Sequence, residues 1–333
     1  MTTRYVDPSA SGDNDGTSWI NAYETLQQGA DNAVAGDIVY CRGTETTAAV
    51  VDFDTNSGTN AGGFIKFIGC NAAGNVDGTR YIIDCNSGHW NGITHTNTST
   101  VWLENFAVYR SAHTGIANGG DSYGWVFINC AAYNCGEYGW TGSWSLSSTL
   151  IRCLVYSNSW GGFASFGANT RWYFCCARDN SDVGFSSLAT SQTVIGCIGH
   201  NNTNGNFSLT SGHCFQCVSD GTSIGITTTA NTSLSASFVL GSRITNNSTA
   251  GFNCNSEPFV SGWCYFEDNA DNHTNDTIHY VINEEGGTTA SNKEDQADTG
   301  EGYVDKGNHD FSTDYTDATD PTLRRTAITI PWT

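Results

Sequence analysis

Residues 127–140 have the sequence FINCAAYNCGEYGW, and the recurrence of this pattern decides the fold. Three later segments repeat it: LIRCLVYSNSWGGF at 150–163, WYFCCARDNSDVGF at 172–185 and VIGCIGHNNTNGNF at 194–207. In each, an apolar residue comes three positions before a cysteine, and an aromatic residue comes ten positions after it. The same register continues to further positions, so that the series of anchor residues is Cys85, Phe106, Cys130, Cys153, Cys175, Cys197 and Cys217.

The anchors are spaced by about 22 residues, which is a period typical of solenoid proteins. Short β-type runs alternate with Asn- and Gly-rich turns, and the leucine framework of a leucine-rich repeat is missing. A propeller blade would need about twice this period. We therefore predict an all-β protein, a single-stranded right-handed parallel β-helix in which each coil stacks on the last at about 4.8 Å.

Strand alternation predicts which side chains point into the coil. We expect the anchors and the residues two positions before and after them to face inward, including Ile128, Ile151, Val155 and Ala177. The cysteines are then a stacked column of small buried side chains rather than a metal or redox site. A second column, Asn158, Asn180 and Asn202, suits a tight turn in which each amide bonds to the next coil.

The ends of the chain differ from the repeats. Apolar residues at helical spacing over residues 18–34 predict an N-terminal helix that caps the open end of the core, with Tyr23 and Leu26 inward. The predicted organisation is a cap with the first strand over 1–43, the β-helix over 44–283, and an acidic C-terminal tail with a terminal strand over 284–333.

Composition excludes several classes of function. The formal charge is −20, with 33 Asp and Glu against 13 Lys and Arg, which argues against a nucleic-acid partner and an anionic membrane surface. No apolar run is long enough for a transmembrane helix. The N-terminus has no apolar stretch typical of a signal peptide. The expected location is on a virion or outside the cell after release, and otherwise the cytoplasm.

Two outward-facing columns carry the candidate site. Aromatic and titratable residues gather there in register, as in a groove that binds a polysaccharide. An aromatic ladder that only stabilises a sheet face would have the same composition. Three residues after the anchors stand Tyr109, Tyr133, Tyr156, Arg178, His200 and Asp220; seven residues after them stand His113, Glu137, Trp160, Asp182 and Asn204. We predict that Tyr109, Tyr133, Tyr156 and Trp160 bind substrate.

Two chemistries could use these residues. Glu137 and Asp182 are two coils apart, close to the separation of about 6.5–9.5 Å between the carboxyls of inverting glycosidases, and Asp179 is a further acid. A lyase would instead use Arg178, flanked by His200 and Tyr156, to stabilise an enolate. There are two simpler alternatives. The acids could be solvated surface residues without a role in catalysis, or the protein could bind a polysaccharide without cleaving it. The sequence leaves catalysis undecided.

No cofactor is required by these chemistries, although Ca²⁺ would be expected for a lyase. The Asp13–Gly16 and Glu267–Asp276 segments are rich in acids, but neither has the spacing of a known calcium loop. Cys214 and Cys217 form a single Cys-x-x-Cys pair without the second pair that a zinc site needs. We therefore assign no metal ligands.

The N-terminal region resembles a known superfamily. The segments YVDP at 5–8, DNDGTSW at 13–19 and AGDIVYCRG at 35–43 are similar to the opening of pectate-lyase-like right-handed β-helix proteins. This resemblance covers roughly residues 4–283 and implies the fold more than the function, since the superfamily includes polysaccharide lyases, hydrolases, phage tailspikes and adhesins. The motifs of pectate lyases and polygalacturonases are absent.

Together these features are most similar to those of phage virion proteins. The leading expectation is a carbohydrate-active protein that binds and cleaves a polysaccharide, and the alternative is a non-catalytic virion structural protein or adhesin. Because tailspike-like helices often trimerise, a homotrimer is one expectation.

Overall fold

The protein is an all-β parallel solenoid, as predicted. The computed structural model describes residues 1–286 except positions 48, 60, 89, 96, 119–121, 143–144, 165–168, 189–191, 211, 229–236, 255–258, 268, 271–272 and 275–278. The predicted acidic tail lies almost wholly outside these residues. Its first residues, up to Gly286, belong to the last strand, so the sheet runs past the predicted boundary at 283.

The strands form one sheet of 21 strands, one of 10 and one of two. In chain order they are β1 (Thr3–Val6), β2 (Ile38–Arg42), β3 (Thr44–Thr46), β4 (Val51–Phe53), β5 (Ile65–Cys70), β6 (Tyr81–Asp84), β7 (Asn91–His95), β8 (Val101–Glu104), β9 (Phe106–Tyr109), β10 (Thr114–Asn118), β11 (Ser122–Tyr123), β12 (Val126–Ile128), β13 (Ala131–Tyr133), β14 (Trp140–Thr141), β15 (Ser145–Leu146), β16 (Thr149–Ile151), β17 (Leu154–Tyr156), β18 (Phe163–Ala164), β19 (Arg171–Tyr173), β20 (Cys176–Arg178), β21 (Val183–Leu188), β22 (Thr193–Ile195), β23 (Ile198–His200), β24 (Gly205–Leu209), β25 (His213–Phe215), β26 (Val218–Asp220), β27 (Ile224–Thr228), β28 (Ser237–Leu240), β29 (Arg243–Thr245), β30 (Ala250–Cys254), β31 (Phe259–Glu267), β32 (His273–Thr274) and β33 (His279–Gly286).

Each full turn contributes one strand to each of three faces. The first face includes β12, β16, β19 and β22, the second includes β13, β17, β20 and β23, and the third includes β14, β18, β21 and β24. All strand pairs in these stacks are parallel, and the register shifts in the β21–β24 pair, between Phe185 and Leu188. Val126 pairs with Thr149, Thr149 with Arg171, and Arg171 with Thr193, so successive turns are 23, 22 and 22 residues apart.

From Phe106 to Cys217 the anchor column is buried as predicted. These anchors are at most 1% exposed, and the residues two positions after them, such as Val155 and Ala177, are also inside. The prediction for Cys85 is wrong: it is buried, but Tyr81 pairs with Phe106 and holds the anchor position of that turn. The Cys175 amide donates to the sulfur of Cys197 at 3.2 Å, which places the two side chains on adjoining turns. Burial raises the pKa of the Cys153 thiol well above its ordinary value, so the column stays uncharged.

The prediction for the residues two positions before the anchors is wrong. Ile128, Ile151 and the equivalent residues lie on the outside, half-buried, and the core is filled instead by Phe127, Leu150 and Trp172, three positions before. The cause is the residue directly before each anchor from Phe106 on, which adopts a left-handed backbone conformation, with φ of 50° at Asn129 and 54° at Arg152. This bend interrupts the alternation between the first and second faces.

The predicted asparagine ladder is confirmed at the corner between the second and third faces. The Asn158 amide donates to Oδ1 of Asn180 at 2.9 Å, and the Asn180 amide donates to Oδ1 of Asn202 at 2.8 Å. All three side chains are buried. The left-handed residue of this corner is the one before each asparagine, for example Asp179 with φ of 54°. The ladder fixes the corner on which the two outward columns meet.

The capping helix exists but is shorter than residues 18–34. Helix α1 spans Leu26–Asn32 and begins with a capping box at Thr25. Tyr23 cannot be helical because its amide donates to the carbonyl of Tyr5, and its carbonyl accepts from the amide of Asp7. Tyr23 and Leu26 are both buried, as expected for a cap that covers the end of the core.

Glu45 ties this cap to the first turns. Its Oε2 accepts hydrogen bonds from the Leu26 amide at 2.8 Å and from the Tyr81 hydroxyl at 2.6 Å, and the side chain is buried. Burial raises the pKa of Glu45 despite these two hydrogen bonds. The folded state therefore favours the protonated acid, and its stability falls as the pH rises from the ordinary pKa of Glu through the raised one.

We expect Glu45→Gln to remove this pH dependence, because the amide oxygen keeps the acceptor without a charge. The free energy of unfolding of the variant, relative to the parent protein, should increase between about pH 4 and about pH 7. Urea unfolding at both pH values measures this difference. The exposed Glu24→Gln is the control, and equal pH profiles for both variants would contradict the expectation.

Candidate functional site

The first outward column follows the ends of the second-face strands, and we call it the second-face column. In register it contains Asp84, Tyr109, Tyr133, Tyr156, Arg178, His200 and Asp220. Each of these side chains is partly exposed, and the offset of three predicted all of them except Asp84. Parallel pairing therefore sets the aromatic, cationic and acidic groups side by side on neighbouring turns.

The tyrosine rings of this column are stacked on one another. The ring centroids of Tyr109 and Tyr133 are 4.9 Å apart, and those of Tyr133 and Tyr156 are 4.7 Å apart with planes 5° from parallel. The guanidinium of Arg110 lies 4.6 Å from the Tyr109 ring, and that of Arg178 lies 4.7 Å from the Tyr156 ring. The ring faces are thus occupied by other side chains. What the column offers to a ligand is ring edges and hydroxyl groups.

Beyond the tyrosines the column is ionic. Arg178 contacts Asp179 at 2.6 Å, and Nδ1 of His200 is 3.0 Å from Oδ2 of Asp220. Hydrogen bonds from Asn246 at 2.6 Å and Thr245 at 2.8 Å hold the other oxygen of Asp220. Burial tends to raise the pKa of Asp220, but these hydrogen bonds and the charge of His200 outweigh burial and lower it.

This geometry gives His200 a fixed orientation. Asp220 remains ionised at neutral pH, and an ionised acceptor beside Nδ1 favours the tautomer that keeps Nε2 unprotonated. The His200 side chain is 41% exposed and the neighbouring Arg178 side chain is 39% exposed, so both reach solvent. A base and a guanidinium therefore stand on adjacent turns.

The second outward column lies past the asparagine corner, and we call it the corner ladder. Its members are Trp90, His113, Glu137, Trp160, Asp182 and Asn204. The offset of seven predicted all of them except Trp90. Tyr81, which pairs with Phe106, occupies the anchor position of that turn, and Trp90 lies nine residues after it. Counting seven residues from the predicted anchor Cys85 therefore misses Trp90.

The carboxylates of the corner ladder are directed in opposite ways along the stack. Glu137 Oε1 is 2.8 Å from His113 Nδ1, one turn before it, whereas Asp182 accepts a hydrogen bond at 2.9 Å from Asn204, one turn after it. Trp160 lies between the two acids. This arrangement argues against the predicted glycosidase pair, because a hydrolase needs both carboxyls to face one glycosidic bond.

Sequence reasoning missed one further residue of these surfaces, Tyr138. The offset of three had placed Asp220 in the column of His200, but it did not predict the contact between their side chains. Tyr138 follows Glu137 at an offset with no aromatic partner on other turns, so the register carries no signal for it. Its ring is edge-on to Trp160, with centroids 5.5 Å apart.

The described residues contain no cluster of three or more His, Cys, Asp or Glu that could hold a metal ion. Within the same part of the chain, no helix is long and apolar enough to cross a membrane.

Comparison with known proteins identifies the fold. No family model and no curated protein sequence matches this chain. Among solved structures, pectate lyase Pel9A superposes with a TM-score of 0.62 at 17% identity, over 88% of this chain and 80% of that one. The chain has a pectate-lyase-like β-helix fold. A rhamnogalacturonan lyase matches with a TM-score of 0.54 at 17% identity, over 82% of this chain and 75% of that one.

An alginate lyase from Paenibacillus sp. str. FPU-7 shares the fold as well. Its TM-score is 0.50 at 8% identity, and the match covers 79% of this chain and 96% of that one. At these identities the likeness concerns the path of the backbone. The chemistry of this protein depends on its own side chains.

Proposed function

We propose that this protein binds an acidic polysaccharide along the second-face column and cleaves it by β-elimination. The observation that carries the proposal is the His200–Asp220 pair, in register with Arg178 on the adjacent turn. The similar structures with a TM-score of at least 0.5 include a pectate lyase, a rhamnogalacturonan lyase and an alginate lyase, which supports a polysaccharide as the substrate class.

Elimination requires a cation, a base and an acid, and the column supplies all three. The guanidinium of Arg178 binds the uronate carboxylate and stabilises the negative charge that develops on it. Nε2 of His200 takes the proton from the carbon next to that carboxylate. Electrons of the broken C–H bond form the new C=C bond, and the bond from the adjacent carbon to the glycosidic oxygen breaks.

The departing oxygen needs a proton, and Tyr156 is placed to donate it. Tyr156 pairs with Arg178 in register, one turn from it. Burial raises the pKa of Tyr156, although the charge of Arg178 lowers it in part, so the hydroxyl is protonated at neutral pH. The products are one unsaturated and one ordinary sugar end, and the proton count balances between His200 and Tyr156.

The acidic body of the protein sets the conditions for such a reaction. A charge of −20 repels a polyuronate over the surface as a whole, and the guanidinium groups that counter it along the column are those of Arg178 and of Arg110, which lies beside Tyr109. We therefore expect activity to depend on salt. In this proposal the guanidinium of Arg178 takes the role that Ca²⁺ would have in a calcium-dependent lyase. A requirement for Ca²⁺ would mean that the ion bridges the acidic protein and the polyuronate.

The test is an assay of polygalacturonate, rhamnogalacturonan and alginate with two readouts, ultraviolet absorbance of unsaturated ends and total reducing ends. Equal increases in both support elimination, and repetition with EGTA reveals any Ca²⁺ requirement. Reducing ends without absorbance would instead indicate hydrolysis and would contradict the proposal.

Binding without either product would favour the second candidate, a non-catalytic adhesin or virion protein. The stacked tyrosine rings favour that candidate, because such a ladder also stabilises a sheet face without any ligand. A phage tailspike would be a protein of this second kind. For both candidates we propose a location on a virion or outside the cell, where polysaccharides are exposed.

A further inference from the structure

The corner ladder exposes two large aromatic side chains. Trp90 is 67% exposed and Trp160 is 49% exposed. They lie three turns apart in one ladder, which at the spacing of parallel strands is about 14 Å. Large aromatic side chains with this much exposed surface are typical of contact sites, since burying them in the core would stabilise the fold more.

The backbone holds the ladder rigidly without help from these indoles. Main-chain hydrogen bonds join His113 to Trp90 at 2.9 Å, Glu137 to His113 at 2.8 Å and Trp160 to Glu137 at 2.9 Å. Trp90 is stacked on His113, with ring centroids 3.3 Å apart, and Tyr138 contacts Trp160 edge-on. Each indole is therefore supported on one side and accessible to solvent over much of the rest.

We propose that the corner ladder is a second glycan-binding site, distinct from the second-face column, and that it takes an extended uncharged polysaccharide. The ring faces of an uncharged pyranose present C–H groups that pack on an indole. Between and beside the two tryptophans, Glu137 and Asp182 accept hydrogen bonds from sugar hydroxyls. A chain lying along the solenoid axis would contact Trp90 and Trp160 at once.

The charge of the ladder excludes acidic sugars. Glu137 and Asp182 flank Trp160 on the turns before and after it. The ring of Tyr138 contacts Trp160, and its pKa is raised by burial and further by the charges of Asp182 and Glu137. A uronate packed on Trp160 would bring its carboxylate against two others. Uncharged hexose or pentose units carry no such penalty.

The two outward columns lie on either side of the asparagine corner. Around the turn, the second-face column is followed by a left-handed residue such as Asp179, then by a buried asparagine such as Asn180, and only then by the corner ladder. The proposed elimination site and the corner ladder therefore lie on two sides of the asparagine corner. Binding at the ladder does not require that the elimination proposal holds.

The experiment is isothermal titration of the full chain with uncharged hexasaccharides of glucose, xylose, mannose and galactose, and with hexagalacturonate for comparison. We expect at least one uncharged hexasaccharide to bind, and Trp160→Ala to weaken that binding at least tenfold. Phe174→Ala, which truncates an aromatic residue that is 54% exposed at another corner, should leave the affinity unchanged.

A double variant, Glu137→Gln with Asp182→Asn, tests the exclusion of acidic sugars. It should raise the affinity for hexagalacturonate at the ladder, and this gain should disappear when Trp160→Ala is added. Absence of binding by every uncharged hexasaccharide would overturn the proposal. So would equal effects of Trp160→Ala and Phe174→Ala, once thermal unfolding has shown that both variants are folded.

Discussion

Replacing His200 with asparagine should reduce the rate of β-elimination by a factor of about 10²–10⁴, the usual contribution of a general base. Asparagine keeps a hydrogen-bonding side chain beside Asp220 but has no basic nitrogen at the position of Nε2. The loss should fall on kcat, because Arg178, which binds the carboxylate, is unchanged. Initial rates of ultraviolet absorbance on the best polyuronate give the comparison.

A matched histidine variant separates this effect from a loss of folding. His213→Asn makes the same change on β25, in the first face and away from the column, and should retain the activity of the parent protein. Asp220→Asn should give a smaller loss than His200→Asn, since it only releases the orientation of the imidazole. If His200→Asn and His213→Asn have equal rates, His200 is not the base.

Replacing Phe185 with alanine should lower the free energy of unfolding by about 3–5 kcal/mol. Phe185 is fully buried in the third face, between Phe163 and Phe207, with ring centroids at 5.0 Å and 4.8 Å. In a solenoid each turn is stabilised by its neighbours, so the cavity weakens the contacts on both sides of the turn. Chemical denaturation followed by circular dichroism measures the change.

Phe174→Ala is the control, because it makes the same substitution at a side chain that is 54% exposed. Its effect should stay near the value of about 0.5 kcal/mol or less that is usual for surface positions. A similar loss from both variants would mean that the ring stack in the third face does not stabilise the solenoid.

The periodic features of this protein could be predicted from its sequence because they depend on register alone. A repeat of about 22 residues with a cysteine anchor places Cys130, Cys153 and Cys175 in one buried column, whatever the details of each turn. The asparagine ladder follows in the same way. The outward position of Tyr133, Tyr156 and Arg178 required only the alternation of side chains along a short strand.

Predictions failed where a single backbone conformation changes the alternation. A left-handed residue before the anchors Cys130 and Cys153 moves Ile128 and Ile151 to the surface and brings Phe127 and Leu150 into the core. Such a residue carries no fixed identity here, since Asn129, Arg152 and Phe174 all occupy the position. Likewise, the pairing of Tyr23 with the first strand, rather than its helical spacing, decides where α1 begins.

The sequence by itself therefore determined the solenoid, its period, its buried columns and the residues that face outward on neighbouring turns. Only the tertiary structure decided what those outward residues can do. It covers the faces of the tyrosine rings, directs Glu137 and Asp182 away from each other, pairs His200 with Asp220 and leaves Trp90 and Trp160 exposed. The physical reason is that register fixes the position of a backbone segment, whereas the direction of a side chain depends on which neighbour satisfies its hydrogen bonds and covers its apolar surface.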